Sequence, residues 1–303
     1  MTFTPFIAVH GGVGAPRAFS DGCEAATARG MALLGAGQEA LAAAIAAAVV
    51  LEDDGRFNAG SGSSLRIDGV TLETDAAVMD STGKLGAVAA LQGFRNPVLV
   101  AEAVTTTPHL MLVGEGAREF ATKRGFAPHP GPGAKAHERY AEVMQAMREH
   151  DYSDIPAFWR TYDLKADWNF ERPYDEVFAM CDTIGAVAMD AEGRFAAAVS
   201  TGGSAPMLKG RVGDSPLPGC GYFAGPEGAV VATGIGEAII MKMLSKTVYD
   251  WIATGAHPQE ACERGIALFP AEIPVGLIAV SREGTGTHNN REMPTHQLSL
   301  AAR

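Results

Sequence analysis

Three threonines and one Arg/Asp pair carry the chemistry that this sequence is equipped to do: Thr183, Thr201, Thr233, and Arg211 with Asp214. Thr183 follows a carboxylate, Asp182, and opens an apolar run over residues 184–189. A second apolar run, 195–199, follows the polar tetrapeptide Asp190-Ala191-Glu192-Gly193. The pattern predicts a tight hairpin whose strands are apolar on both faces, and which is therefore buried between other layers. A hydroxyl at the start of the first strand can attack the carbonyl of its own preceding peptide bond, giving an ester that water then opens. Cleavage between Asp182 and Thr183 leaves the threonine as a new N-terminus. Its α-amine, with a pKa of about 7.7–8.0 when unperturbed, then serves as general base for its own hydroxyl. A threonine at a strand start is explained by β-propensity alone; the residues that accompany this one decide the reading.

Thr201 follows the second strand of the same hairpin, where it can lie beside Thr183 and hydrogen-bond its hydroxyl or amine. Thr233 and Gly234 stand before a helical pattern that opens at Gly234-Ile235-Gly236-Glu237 and runs to about residue 252. A hydroxyl and an amide N–H at a helix N-terminus suit a developing oxyanion. Arg211 and Asp214, three apart across a glycine, can clamp a zwitterion, guanidinium to α-carboxylate and carboxylate to α-ammonium. Such a clamp implies a substrate with a free α-carboxylate and a free α-ammonium. Alone, the pair would be a surface ion pair of little worth.

Four blocks occur in order: Asp182-Thr183-Ile184-Gly185-Ala186-Val187-Ala188, Ser200-Thr201-Gly202-Gly203, Gly210-Arg211-Val212-Gly213-Asp214-Ser215-Pro216, and Ala232-Thr233-Gly234-Ile235-Gly236-Glu237. Together they strongly resemble the plant-type asparaginase, isoaspartyl peptidase and glycosylasparaginase family of N-terminal-nucleophile hydrolases. The resemblance implies an α+β fold, a four-layer αββα sandwich, made as a precursor. Residues 1–182 would form the larger chain and 183–303 the smaller chain of one domain, assembled as a homodimer of processed pairs. It assigns Thr201 to the nucleophile, Thr233 and Gly234 to the oxyanion, and Arg211, Asp214, Gly236 and Asn58 to substrate binding, and it implies a scissile amide on the β-carbonyl of an aspartyl group, which L-asparagine and β-aspartyl dipeptides both satisfy. The loop Leu51-Glu52-Asp53-Asp54-Gly55-Arg56-Phe57-Asn58-Ala59-Gly60-Ser61-Gly62 resembles the family's structural sodium loop. The ion would be held by the main-chain carbonyls of Leu51, Glu52, Asp54, Phe57, Ala59 and Ser61, with no cofactor for the chemistry itself. Three positions depart from the pattern. Cys181-Asp182 stands where most asparaginase-type members have His-Gly, a junction closer to glycosylasparaginase, and Ile235 lies between the oxyanion glycines.

The elements that must position these residues follow from periodicity. Residues 6–9 form a short apolar strand ending in His10-Gly11-Gly12-Val13-Gly14, whose spacing does not fit a dinucleotide fingerprint. His10 reads as a strand-end histidine satisfied by backbone, since no second histidine lies at ligand spacing. Alanine-rich helices follow over 23–34 and 38–51, then a hairpin of 70–79 with 85–91, a helix over 98–105, a strand over 110–114 and a helix to Arg124. Residues 127–182 change character and read as a linker that becomes mobile once cut, with a charged helix over 135–150 and with Trp159 and Trp168 able to dock on the body. Strands over 229–233 and 275–280 complete the pattern, the last ahead of a tail that carries no clear signal.

With 47% apolar residues the 303-residue chain can bury a substantial core, and a net charge of −11 without any basic stripe excludes a phosphate-backbone binder. Four scattered cysteines make no disulfide framework, the N-terminus lacks a basic leader, and no apolar run is long enough for a bilayer. A cytoplasmic enzyme acting on a small molecule is expected, without nucleic-acid or membrane partners. Its rivals are a glycosylasparaginase-type amidase, a family member that binds without processing, and, more distantly, a nucleotide-binding module.

Overall fold

The computed structural model describes residues 2–133, 136–138, 140–141, 145, 162–163, 166–170, 183–204 and 207–300. Most of the expected linker, with its helix over 135–150, Trp159, Cys181 and Asp182, lies outside the described residues.

Two β-sheets organise the described residues. The larger runs β11-β1-β5-β6-β2-β3-β4, from β1 (Phe6–His10), β2 (Thr74–Asp80), β3 (Leu85–Leu91), β4 (Met111–Val113), β5 (Thr183–Met189), β6 (Phe195–Thr201) and β11 (Thr295–Ser299). The smaller runs β10-β9-β8-β7, from β7 (Tyr222–Gly225), β8 (Gly228–Gly234), β9 (Val275–Ser281) and β10 (Gly284–Asn289). Helices of the described residues include α1 (Ser20–Gly35), α2 (Ala40–Asp54), α3 (Pro97–Val104), α4 (Gly114–Arg124), α5 (Gly236–Lys242), α6 (Leu244–Ala253) and α7 (Pro258–Ile266).

The predicted hairpin is β5–β6, antiparallel with Thr183 opposite Thr201 and Met189 opposite Phe195. Its turn is local chemistry. The Asp190 carboxylate accepts the N–H groups of Glu192 and Arg194 at 3.1 and 3.0 Å, and that of Ala40, at the start of α2, at 3.0 Å. Both faces of the hairpin are apolar because each meets a different partner. Ile184, Ala186, Ala188, Ala196 and Ala198 join a core with α1, α2 and α3, whereas Val187, Met189, Phe195, Ala197 and Val199 face Tyr222, Val231, Ile278 and Val280 of the second sheet. A third core lies on the far side of that second sheet, where Val230, Ala232, Leu277 and Ala279 pack on Leu244, Val248 and Ile252 of α6 and Cys262 and Ile266 of α7. Each large aliphatic side chain so buried contributes about 1.5–3 kcal/mol against solvent. Small residues bring α1 and α2 together and onto the sheet: a Cβ on Gly30 would stand 2.2 Å from Ile7 Cδ1 and 3.0 Å from the Ala43 carbonyl.

Three local readings are corrected by the fold. The helix expected to run unbroken to about residue 252 divides into α5 and α6, because Met243 adopts a left-handed conformation at φ 43°. The first hairpin strand starts at Thr74 rather than at residue 70, the preceding residues turning on Asp68, which accepts from the Val70 and Thr71 N–H groups at 3.2 and 2.9 Å. The strand over 275–281 is not the last. Two more follow, and β11 closes the edge of the large sheet against β1. Among the described residues no helix is long and apolar enough to cross a membrane.

Candidate active site

The strand register assembles the site. Thr183 and Thr201 are cross-strand partners, and their hydroxyl oxygens stand 3.0 Å apart, with Thr183 half-buried and Thr201 buried. Thr201 Oγ1 also accepts the Gly203 N–H at 2.9 Å. Asn58 fixes the chain just beyond: its Nδ2 donates to the Gly203 carbonyl at 2.8 Å, its carbonyl accepts the Gly202 N–H at 2.9 Å, and its Oδ1 accepts the Ser64 N–H at 2.7 Å. Asn58 therefore lies next to Thr201, with both ends of its amide bonded to main chain.

On the other side of β5 runs β1, in register His10 with Gly185, so the glycine turn after it continues past the level of Thr183. The Val13 N–H of that turn donates to Thr233 Oγ1 at 3.3 Å, which ties the end of β8 to this same end of the large sheet. Gly234 follows at φ 145°, where a Cβ would stand 2.2 Å from the Pro274 carbonyl. His10 itself is fully buried. Its Nδ1 accepts the Gly12 N–H at 3.1 Å, and burial pushes its pKa down to about 3, so it is neutral. Among the described residues no group of three His, Cys, Asp or Glu side chains is placed to hold a metal.

Arg211, Asp214 and Gly236 converge. A Cβ on Gly236 would stand 2.9 Å from Asp214 Oδ1 and 3.0 Å from Arg211 Nη2. The Asp214 carbonyl accepts the Leu217 and Gly221 N–H groups at 2.9 and 3.1 Å, and Gly221 in turn accepts from Ala232 of β8 at 2.8 Å. Burial pushes the Asp214 carboxyl up to about 7, the Arg211 guanidinium opposing, and its Oδ2 has no partner among the described residues. One residue here escaped the sequence reading. Glu237 takes the Arg211 guanidinium in a two-pronged pair, Nε and Nη2 donating at 2.9 and 2.8 Å. Burial alone would raise the Glu237 pKa, but the Arg211 hydrogen bond and charge carry it below the ordinary carboxylate value. The only local sign was an acidic residue in a first helical turn; its partner is 26 positions away.

The polar loop after α2 folds back on that helix. Gly55 ends the helix in a left-handed conformation at φ 74°, which leaves the last-turn carbonyls without helical partners. A Cβ on Gly62 would stand 2.1 Å from the Phe57 carbonyl oxygen and 2.7 Å from that of Gly55, and one on Gly60 would stand 2.7 Å from that of Glu52. Main-chain oxygens thus crowd this loop, a donor set that suits a hard cation.

A family model described as asparaginase matches residues 3–298. The chain belongs to the asparaginase family. Among similar members, the isoaspartyl peptidase of Escherichia coli strain K12 is 38% identical over 304 residues, covering 92% of this chain and 87% of its own. The isoaspartyl peptidase/L-asparaginase of Danio rerio is 36% identical over 291 residues, covering 93% and 87%. The N(4)-(beta-N-acetylglucosaminyl)-L-asparaginase of Elizabethkingia miricola is 34% identical over 266 residues, covering 83% and 71%. The family therefore includes relatives named for both of the amidase activities weighed from the sequence.

Proposed function

We propose that this family member is an autoprocessing hydrolase of β-aspartyl amide bonds, acting on isoaspartyl dipeptides and L-asparagine with Thr183 as nucleophile. The observation that carries the reading is the 3.0 Å contact of the Thr183 and Thr201 hydroxyls at one end of a sheet that also abuts Thr233. Cleavage between Asp182 and Thr183 frees an α-amine that takes the Thr183 hydroxyl proton as the oxygen attacks the substrate β-carbonyl. Thr201, whose oxygen accepts from Gly203, directs its own proton towards Thr183 Oγ1 and steadies it. Thr233 and the Gly234 N–H receive the oxyanion. Collapse expels the amine, protonated by the Thr183 ammonium, and water opens the aspartyl ester to return the free hydroxyl.

Arg211 and Asp214 hold the α-carboxylate and α-ammonium, beside Gly236, which leaves the space a side chain would fill. Three stacked cores, helices on sheet, sheet on sheet and sheet on helices, support an αββα sandwich for this domain. A sodium ion on the carbonyls of Leu51, Glu52, Asp54, Phe57, Ala59 and Ser61 would stiffen the loop that carries Asn58 and take no part in the reaction. Replacing sodium by choline should then lower Tm, and an unchanged Tm would count against the ion. Assembly as a homodimer of processed pairs in the cytoplasm completes the reading.

Intact mass spectrometry tests the central claim, which requires a fragment beginning at Thr183. A persistent full-length chain without hydrolysis would instead favour a non-catalytic binding protein. The second amidase reading, on glycosylated asparagine, is favoured by the Asp182-Thr183 junction and by the Elizabethkingia relative. Faster turnover of a glycosylated asparagine than of a β-aspartyl dipeptide would reverse the ranking.

A further inference from the structure

The segment 202–210, described at 202–204 and 207–210, joins the two halves of the proposed site, Thr201 preceding it and Arg211 following it. Both of its ends are tied to one buried ion pair. Arg66, whose side chain has 0% exposure, donates from Nε to Glu73 Oε2 at 2.8 Å and from Nη1 to the Gly202 carbonyl at 3.0 Å. The same Glu73 oxygen accepts the Gly210 N–H at 2.8 Å, while Oε1 accepts from Gln92 Nε2 at 3.1 Å. Packing leaves the guanidinium no latitude: a Cβ on Gly203 would stand 2.6 Å from Arg66 Nη1. Asp75, the cross-strand neighbour of Thr201, adds a further buried carboxylate.

Charges removed from water are a poor source of net stability, since apolar residues of similar volume often serve as well. What this pair supplies is geometry. Arg66 fixes the residue next to Thr201, and Glu73 fixes the residue next to Arg211. Resting on the reading of the site above, we propose that Arg66 and Glu73 are positioning residues that set the span between the Thr183–Thr201 hydroxyls and the Arg211 clamp. One substrate molecule is then gripped by its α-groups while its β-carbonyl meets the nucleophile. Neither side chain touches substrate in this arrangement. Both act through the main chain of the loop.

The two ends are separable by experiment, and reach can be separated from charge. Glu73→Asp keeps the charge but draws the acceptor back by one C–C bond, ~1.5 Å, from Gly210. Glu73→Gln keeps the reach and discards the charge. In the full-length, self-processed protein we expect Glu73→Asp to raise KM for a β-aspartyl dipeptide, and to weaken L-aspartate binding by calorimetry, by about tenfold or more. Its kcat should stay within about threefold, and Glu73→Gln should remain near wild type in both readouts. Arg66→Lys, which loses the Nη1 donor to the Gly202 carbonyl, should lower kcat more than it raises KM. A merely structural pair predicts the opposite order, with Gln more damaging than Asp and with kcat, KM and Tm moving together. That result overturns the proposal, as does wild-type L-aspartate affinity in Glu73→Asp. If Glu73→Gln fails to fold, the KM-against-kcat contrast between Glu73→Asp and Arg66→Lys still decides. A wild-type protein that neither hydrolyses the dipeptide nor binds L-aspartate defeats the underlying site reading instead.

Discussion

If Asp214 holds the substrate ammonium as proposed, substrate binding is sensitive to acid in a calculable way. The residue is 5% exposed, and burial raises its pKa from 3.8 to about 7 despite the Arg211 guanidinium. The other ionisable groups acting on it, Glu237 and Asp75, push in the same upward direction as burial. Only the ionised form attracts the substrate ammonium, so a proton on Asp214 competes with substrate. Apparent KM should then scale with 1 + 10^(7−pH), rising about twofold at pH 7, about 11-fold at pH 6 and about 100-fold at pH 5, relative to alkaline pH. The Thr183 amine also gains a proton in this range, but that loss falls on the chemical step, so KM and kcat must be read separately. Binding of L-aspartate, followed by calorimetry in buffers of different ionisation heat, removes the chemical step altogether. Close to one proton should be released per ligand bound at pH 6, and almost none at pH 8.5. In Asp214→Asn the affinity should be weak and nearly independent of pH. A KM that stays flat between pH 8 and pH 5, or binding without proton release at pH 6, would refute the reasoning.

Thr183→Ala removes both the attacking oxygen and the new N-terminal nucleophile, so gels should show an uncut chain and assays no turnover; any processing in that variant contradicts the mechanism. Arg211→Ala removes a charge-assisted contact worth about 1.5–3 kcal/mol, which corresponds to a KM increase of about 10- to 150-fold, and an unchanged KM would exclude the clamp. Glu52 is buried against the Val98 N–H, and burial raises its pKa from 4.5 to about 8. A folded-state pKa above the unfolded value gives stability that is full below about pH 4.5 and lost as pH rises through about 8. Glu52→Gln should accordingly raise Tm by several degrees at pH 8.5 and by little at pH 5, as read by thermal melts, and equal shifts at both values would disprove the assignment.

What the sequence by itself determined is whatever depends on near neighbours. The β5–β6 hairpin follows from two apolar runs about an Asp190 turn, and once its turn is set, a two-residue period leaves only one register, which brings Thr183 opposite Thr201. The proposed clamp residues Arg211 and Asp214 lie three apart in the sequence, and Gly236 was recognisable from its block. Tertiary structure alone decided which segments meet. Glu237 reaches Arg211 across 26 positions, and Arg66 and Glu73 reach the two ends of the loop over 202–210 across 136 and 137. The break at Met243 and the pairing of β11 with β1 are likewise set by partners far along the chain. Periodicity and turn chemistry act over a few residues and so can be read from a string of letters. A buried charge finds its counter-charge only after the sheets have stacked, and no local pattern records which distant carboxylate that will be.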